Sequence, residues 1–143
     1  MLPLHDAPTA ELTVDVLYGI LRLRAEVFVV EQQAAYLDPD GRDLEPTTRQ
    51  LWITDGGIVA TARVLDDGDA RRIGRIATAP AWRSQGLAGR LVEHFVATAP
   101  GPWRLDGQAY LVDWYRRFGF EVAGDEYVDD DGIPHVPMVR TPA

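Results

Sequence analysis

Between Ile73 and Leu91 the chain reads Ile-Gly-Arg-Ile-Ala-Thr-Ala-Pro-Ala-Trp-Arg-Ser-Gln-Gly-Leu-Ala-Gly-Arg-Leu. The pattern predicts a strand to Thr78, a short turn through Pro80 and Trp82, and a helix opened by Arg83-x-x-Gly86-x-Ala88. The first N–H groups of a helix have no intrahelical acceptor, and the helix dipole favours negative charge in front of them. Gly86, Ala88 and Gly89 carry almost no side chain, so a bulky anion can approach the backbone closely. The ligand chemistry this fits is a pyrophosphate, held by the segment Arg83, Ser84, Gln85, Gly86, Leu87, Ala88 and Gly89. A nucleoside-triphosphate loop would need Gly-x-x-x-x-Gly-Lys-Ser/Thr, and the chain has no lysine. A dinucleotide fold would need Gly-x-Gly-x-x-Gly directly after the strand. Only Gly86-Leu-Ala-Gly89 is present, and it comes late.

A second patch reads Gln108-Ala-Tyr-Leu-Val-Asp-Trp-Tyr115-Arg-Arg-Phe118-Gly119-Phe120. Outside these two lie Leu21-Arg-Leu-Arg-Ala-Glu-Val-Phe-Val-Val-Glu-Gln32, Asp40-Gly41-Arg-Asp43 and Asp131-Gly-Ile-Pro-His135-Val-Pro-Met138. In these motifs and their order the chain resembles the GNAT superfamily of N-acetyltransferases, in its ElaA-like branch. Ala34 stands where that branch often has Cys, Gln50 where it often has His, and Ala88 where Gly is usual.

The resemblance implies an acetyl-coenzyme A-dependent transfer of an acetyl group to a primary amine, with no metal. The turn from Arg83 to Gly89 would cradle the cofactor's pyrophosphate. The preceding strand would splay from its neighbour, freeing backbone groups of Ile76, Ala77 and Thr78 for the pantetheine arm and the thioester; as plain structure this would be a fully paired core strand. Gln108 would bond the pantetheine amides, or simply end a strand at the surface. Tyr115 would protonate the leaving thiolate as general acid, or be a half-buried helix aromatic. For the amine's base, Glu31, Asp38, Asp40, Asp43 and His135 are candidates, and water chains could replace any of them. A neutral imidazole suits that work near neutral pH, although a lone His can equally be a structural hydrogen bonder. Asp38-Pro-Asp40-Gly41-Arg-Asp43 has some look of a calcium loop. Its glycine is at the fourth position and the final Glu is absent, so it is expected to be a surface turn at the acceptor mouth. The alternatives to an enzyme are a non-catalytic acyl-coenzyme A sensor of the same fold and a purely partner-binding domain.

Composition sets the bounds. At 143 residues, 46% hydrophobic and 25% charged, the chain reads as one globular domain, residues 1–143. Its apolar runs fall far below the ~20 residues that cross a bilayer, so no membrane is expected. The N-terminus lacks signal-peptide order, and the absence of cysteine excludes disulfides and a Cys nucleophile. The cytoplasm is the expected location. A net charge of −8 argues against nucleic acid and suits a cationic small amine or peptide acceptor. The basic residues are all arginines, and Arg71, Arg72, Arg75, Arg83 and Arg90 crowd the turn. They would form a positive patch for an anion, or a solvated face. A homodimer is compatible with all of this.

The elements that must position these residues follow from periodicity. Thr13 or Asp15 can open a first helix with Leu17, Ile20 and Leu21 inward. A second short helix is expected over Ala25 to Gln32, with Val27, Phe28 and Val30 inward. Tyr36 to Pro46 reads as loop. Gln50–Thr54 and Ile58–Leu65 flank a tight turn at Asp55-Gly-Gly57, and a further strand runs from Arg72 to Thr78. The helix from about Gly86 to Thr98 has Leu87, Leu91, Val92 and Phe95 on one side. A strand over Trp103–Gln108 leads to a helix from about Tyr110 to Phe118, with Gly119 as left-handed C-cap. Phe120–Val128 and His135–Arg140 close as a hairpin. The order predicts a mixed α/β (α+β) fold: a mixed, mostly antiparallel sheet with helices on both faces. The resemblance adds a splayed central strand pair.

Overall fold

A computed structural model describes residues 1–143. The strands are β1 (Leu4–Pro8), β2 (Arg49–Asp55), β3 (Gly57–Asp66), β4 (Arg71–Thr78), β5 (Trp103–Gln108), β6 (Glu121–Val122), β7 (Tyr127–Val128) and β8 (Pro134–Arg140). The helices are α1 (Val14–Ala25), α2 (Leu87–Thr98) and α3 (Val112–Arg116). One sheet runs in the order β1-β2-β3-β4-β5-β8-β6, with β7 also pairing β8. Every pairing is antiparallel except β4 with β5. That parallel pair meets only at Arg71 opposite Trp103 and Arg72 opposite Arg104, after which the strands part.

Two features of β4 open the sheet. Thr61 lies opposite Ala77 and Arg63 opposite Gly74, so Arg75 and Ile76 together face the single residue Ala62. This bulge carries Arg75 at φ 50. An extra residue reverses which side later positions face. Ile73 accordingly enters the large core, whereas Ala77, four residues on, packs with Leu23 and Val27 on the opposite face.

The large core lies under α2 and α3. Leu87, Leu91, Val92 and Phe95 all bury there, against Leu51, Ile53, Ile73 and Leu105. Truncating a fully buried leucine such as Leu91 would cost roughly 2–5 kcal/mol. On the other face α1 starts at Thr13, whose hydroxyl accepts the Val16 N–H at 3.3 Å. Gly119 ends the α3 region at φ 87, as expected of a left-handed cap. No helix is long and apolar enough to cross a membrane.

Several elements differ from expectation. β1 is an additional edge strand. Pro3 precedes it and Pro8 is its last residue, the run between is too mixed to alternate visibly, and its pairing with β2 makes it a strand. The second short helix is no separate element: α1 continues into a π-helical stretch, Glu26–Glu31. The wider turn rotates Val30 outward, where it is 71% exposed. The helix near Tyr110 is a 3-10 turn, Ala109–Leu111, followed by the five residues of α3. The strand expected over Phe120–Val128 is broken into β6 and β7, each two residues long.

Candidate active site

The turn before α2 leaves a row of backbone amides free. Ser84 and Gly86 sit at φ 64 and 77, in the left-handed region. The first helical bond runs from the Arg90 N–H to the Gly86 carbonyl at 3.1 Å, and no N–H from Ser84 to Gly89 donates within the chain. A Cβ at Gly86 would meet nothing within 4 Å, so the space in front of these amides is open. Gly89 is small for a different reason: its Cβ would stand 3.1 Å from the Phe118 ring, so it serves packing of α2 against the α3 segment. Gln85 is exposed and does not line the cleft, unlike Arg83, Ser84, Gly86, Leu87, Ala88 and Gly89.

From this turn a cleft of about 1010 Å³ passes through the sheet where β4 and β5 part. The Ala79 N–H donates to the Val59 carbonyl at 2.9 Å. Bonding direction alternates along an antiparallel strand, so Ala77 also turns its N–H and C=O toward β3. This corrects the expectation for Ala77, whose backbone is committed to the sheet. Ile76 and Thr78 point theirs to the open side, and both line the cleft. The Thr78 carbonyl already accepts a 3.2 Å bond from Arg83 Nε.

Tyr115 lines the cleft from the α2/α3 face and is only 7% exposed. Its ring lies on Gly107, where a Cβ would stand 2.7 Å away. That glycine's role is not legible from any motif; the spacing to Tyr115 matters only once α3 folds back over β5. Burial, with a smaller effect from Tyr110, pushes the Tyr115 hydroxyl above its ordinary value. It therefore stays protonated, the state a proton donor needs.

His135 reaches the same cleft from the other face. It is paired with Gln108, and both line the cleft. The next register pair, Gly107 with Val136, faces Tyr115 and the large core. By strand alternation Gln108 and His135 project the opposite way. The His135 ring stacks near Tyr127, and its Nδ1 lies 2.7 Å from the Ile133 carbonyl. A carbonyl only accepts, so Nδ1 carries the hydrogen and Nε2 of the neutral ring keeps a lone pair.

The acidic candidates are otherwise engaged. Asp38 and Asp43 are buried, not parts of a surface turn. Arg24 binds Asp38 at 2.8 Å and Asp43 at 2.7 Å, and Gln50 donates to Asp43 at 2.9 Å. Arg63 forks onto Asp40 at 2.8 and 3.0 Å. Burial alone would raise the Asp43 pKa, but the bonds and charge of Arg24 hold it below its ordinary value. For Asp40, burial is likewise outweighed by Arg63 and by the Arg42 N–H, leaving a pKa of about 2. Such carboxylates are poor bases at neutral pH. Glu31 is exposed and forked with Arg83 at 2.6 Å. The expected free arginine patch is corrected too. Arg71, Arg72, Arg75 and Arg83 all pair with carboxylates, and Arg90 does not line the cleft, so the free donors there are backbone amides.

Comparison with known proteins agrees with this geometry. A family model described as an acetyltransferase (GNAT) domain matches residues 24–142. The UPF0039 protein Rv2851c of Mycobacterium tuberculosis is 46% identical over 131 residues, covering 87% of this chain and 83% of that protein. Protein ElaA of Escherichia coli is 37% identical, covering 98% and 97%. The crystal structure of an acyl-CoA N-acyltransferase from Pseudomonas aeruginosa superimposes with a TM-score of 0.90 at 37% identity, over 99% of this chain and 100% of that one. That of E. coli ElaA gives 0.87 at 35% identity, over 96% and 99%. With its splayed β4 and β5, its unpaired amides before α2 and this near-complete match, the chain belongs to the GNAT acetyltransferase family, in the branch that contains ElaA.

Proposed function

We propose that the protein is an acetyl-coenzyme A-dependent N-acetyltransferase acting by direct transfer on a primary amine. The observation that carries this is the row of N–H groups from Ser84 to Gly89 that donate to nothing in the chain, opening on the unpaired edge of β4. A pyrophosphate fits those amides, and an extended pantetheine arm fits Ile76 and Thr78, whose groups face the cleft. Gln108, at the end of β5, is within the same cleft to bond the arm's amides.

Bound there, acetyl-coenzyme A supplies an activated acetyl thioester: the amine forms a C–N bond as the C–S bond breaks and its electron pair goes to sulfur. The chain's residues handle the protons. Nε2 of His135 takes one from the ammonium, freeing the lone pair that attacks. The Tyr115 hydroxyl gives one to the leaving sulfur and regains it from solvent. The nitrogen loses its second proton to solvent as the C–S bond breaks, and the His135 proton leaves to solvent too; with one proton returned to Tyr115, the balance is an amide, a thiol and one proton. Approach from opposite faces of the sheet suits this: the acceptor enters on the His135 side and the cofactor on the turn side.

Ligand-linked stability and thiol release test the reading. A ligand bound only by the folded state adds roughly 2.7 kcal/mol at a hundredfold excess over its dissociation constant. Acetyl-coenzyme A should raise the melting temperature, and NAD should not. Equal shifts from both would reduce the turn to a generic anion site. Thiol release across an amine panel then separates an enzyme from a sensor, which would bind without turnover.

A further inference from the structure

At the acceptor side of the cleft two hydrogen-bond acceptors face each other with no donor between them. His135 Nε2 and Asp131 Oδ2 stand 3.8 Å apart, with both side chains about nine-tenths buried, at 10% and 11% exposure. The His135 hydrogen is fixed on Nδ1 by the Ile133 carbonyl. Asp131 is fixed as well, because its Oδ1 accepts the Ile133 N–H at 2.8 Å and leaves Oδ2 free. The segment between them is closed on itself by two Asp129 contacts. The Gly132 N–H donates to the Asp129 carbonyl at 2.8 Å, and the Asp129 N–H donates to Ile133 at 3.2 Å. Two lone-pair groups held this close in a largely buried wall repel unless a proton or another cation lies between them.

Charge balance along the cleft points to the same segment. Glu31, Asp40, Asp67 and Asp106 are neutralised by arginines, whereas Asp129, Asp130 and Asp131 are not, and of these three Asp131 is the one that faces His135. No arginine pairs with Asp131, and the one basic side chain within 4 Å of its carboxylate is the His135 ring. Both residues line the cleft.

We propose that Asp131 and His135 form the seat for the acceptor's protonated primary amine, with Asp131 Oδ2 accepting one N–H and His135 Nε2 accepting another. The N–H directed at Nε2 is the proton transferred when the amine attacks, so one ammonium serves as ligand and as proton source. This rests on the transferase reading and assigns its acceptor site. A monoamine, a polyamine and a peptide N-terminus share this ammonium, whereas an alcohol or a neutral amide lacks the charge and the third hydrogen.

The test uses imidazole nitrogen NMR on the full chain, at one fixed pH, with and without coenzyme A. The His135 signal is identified by its loss in His135→Asn. Butylammonium, spermidine and glycinamide are titrated against butanol. A saturable shift of His135 Nε2 with at least one amine and none with butanol is the expected result. The amine that responds identifies the source. Asp131→Asn keeps the oxygen that accepts the Ile133 N–H, so the turn survives while the charge is lost. It should weaken the response roughly tenfold or more, the loss expected of a charge-assisted hydrogen bond. Asp113→Asn, an exposed carboxylate on α3 that does not line the cleft, should leave it unchanged. No saturable shift with any amine, or a full response in Asp131→Asn, overturns the seat. Calorimetry with coenzyme A keeps the two readings separable. Failure to bind coenzyme A alongside an intact amine response would remove the transferase reading alone, and the reverse would remove the seat alone.

Discussion

At the scale of single residues, Tyr115 is nearly buried, yet its hydroxyl makes no hydrogen bond inside the chain and opens on the cleft. A hydroxyl that faces open space can be partnered by water or by a ligand, so it carries no penalty of a buried unpaired group. Replacing Tyr115 with Phe keeps the ring against Gly107 and removes only that oxygen. Melting temperature and coenzyme A affinity should therefore hardly change. Turnover should fall, because a group that protonates a leaving thiolate matters more in the transition state than in the ground state. General acid catalysis is worth ~10²–10⁴-fold, so the loss in kcat should be of that order. Steady-state kinetics with chemistry rate-limiting checks this, and an unchanged kcat would assign Tyr115 to packing. Residue chemistry was legible here only in part. The motif placed Tyr115 on a helix after Gln108, but not Gly107 beneath its ring. Nor did it reveal that Asp38 and Asp43 are locked by arginines, since a carboxylate in sequence carries no mark of its partner.

At the scale of elements, the turn into α2 depends on backbone conformation more than on side chains. Gly86 at φ 77 has open space at its Cβ position, so steric crowding plays no part in a substitution there. Gly86→Ala should cost about 1–2 kcal/mol, the left-handed penalty of an L-residue, and weaken coenzyme A binding modestly. Gly86→Glu adds a carboxylate in front of the free amides and should abolish binding in a folded protein. Calorimetry on both variants distinguishes strain from charge; equal affinity in Gly86→Glu and wild type would remove the anion site. Elements governed by strong local periodicity were legible in the sequence: all four stripe residues of α2 are buried, and β2 through β5 fall where alternation and turns place them. What escaped has a common physical cause. β1, β6 and β7 exist through pairing with distant strands, and the π-helical stretch after Ala25 packs Val27 onto Ala77 of a strand fifty residues away. Neither leaves a local period to read.

At the scale of the whole molecule, an ionic cluster ties α1, the Tyr36–Pro46 segment and the sheet together beside the cleft. Arg24 and Arg63 are 1% and 4% exposed, and they converge on Asp38, Asp40 and Asp43 from elements far apart in the chain. Burying charges is expensive, and pairing offsets much of that cost, so the intact cluster contributes little net stability. Losing one partner is different, because it leaves an uncompensated charge. Arg63→Met removes the fork on Asp40 and one bond to Asp43, and should cost roughly 3–5 kcal/mol near neutral pH. For a domain of this size that is a drop in melting temperature on the order of 10 °C. The sign of the pH dependence follows from the carboxylates. Asp40 has an ordinary value of 3.8 and sits at about 2 in the fold, and Asp43 is lowered as well. A folded-state value below the unfolded one gives stability that is complete above the unfolded value and is lost as pH falls through the folded value. Wild type should therefore lose stability between about pH 4 and pH 2. Arg63→Met has less of this stabilisation to lose, so the gap between the two proteins should narrow across that window. Thermal melts of both from neutral pH down to acid read the gap directly. A gap that stays constant with pH would mean that Arg63 acts through packing of its long side chain, with no charge linkage to Asp40 and Asp43.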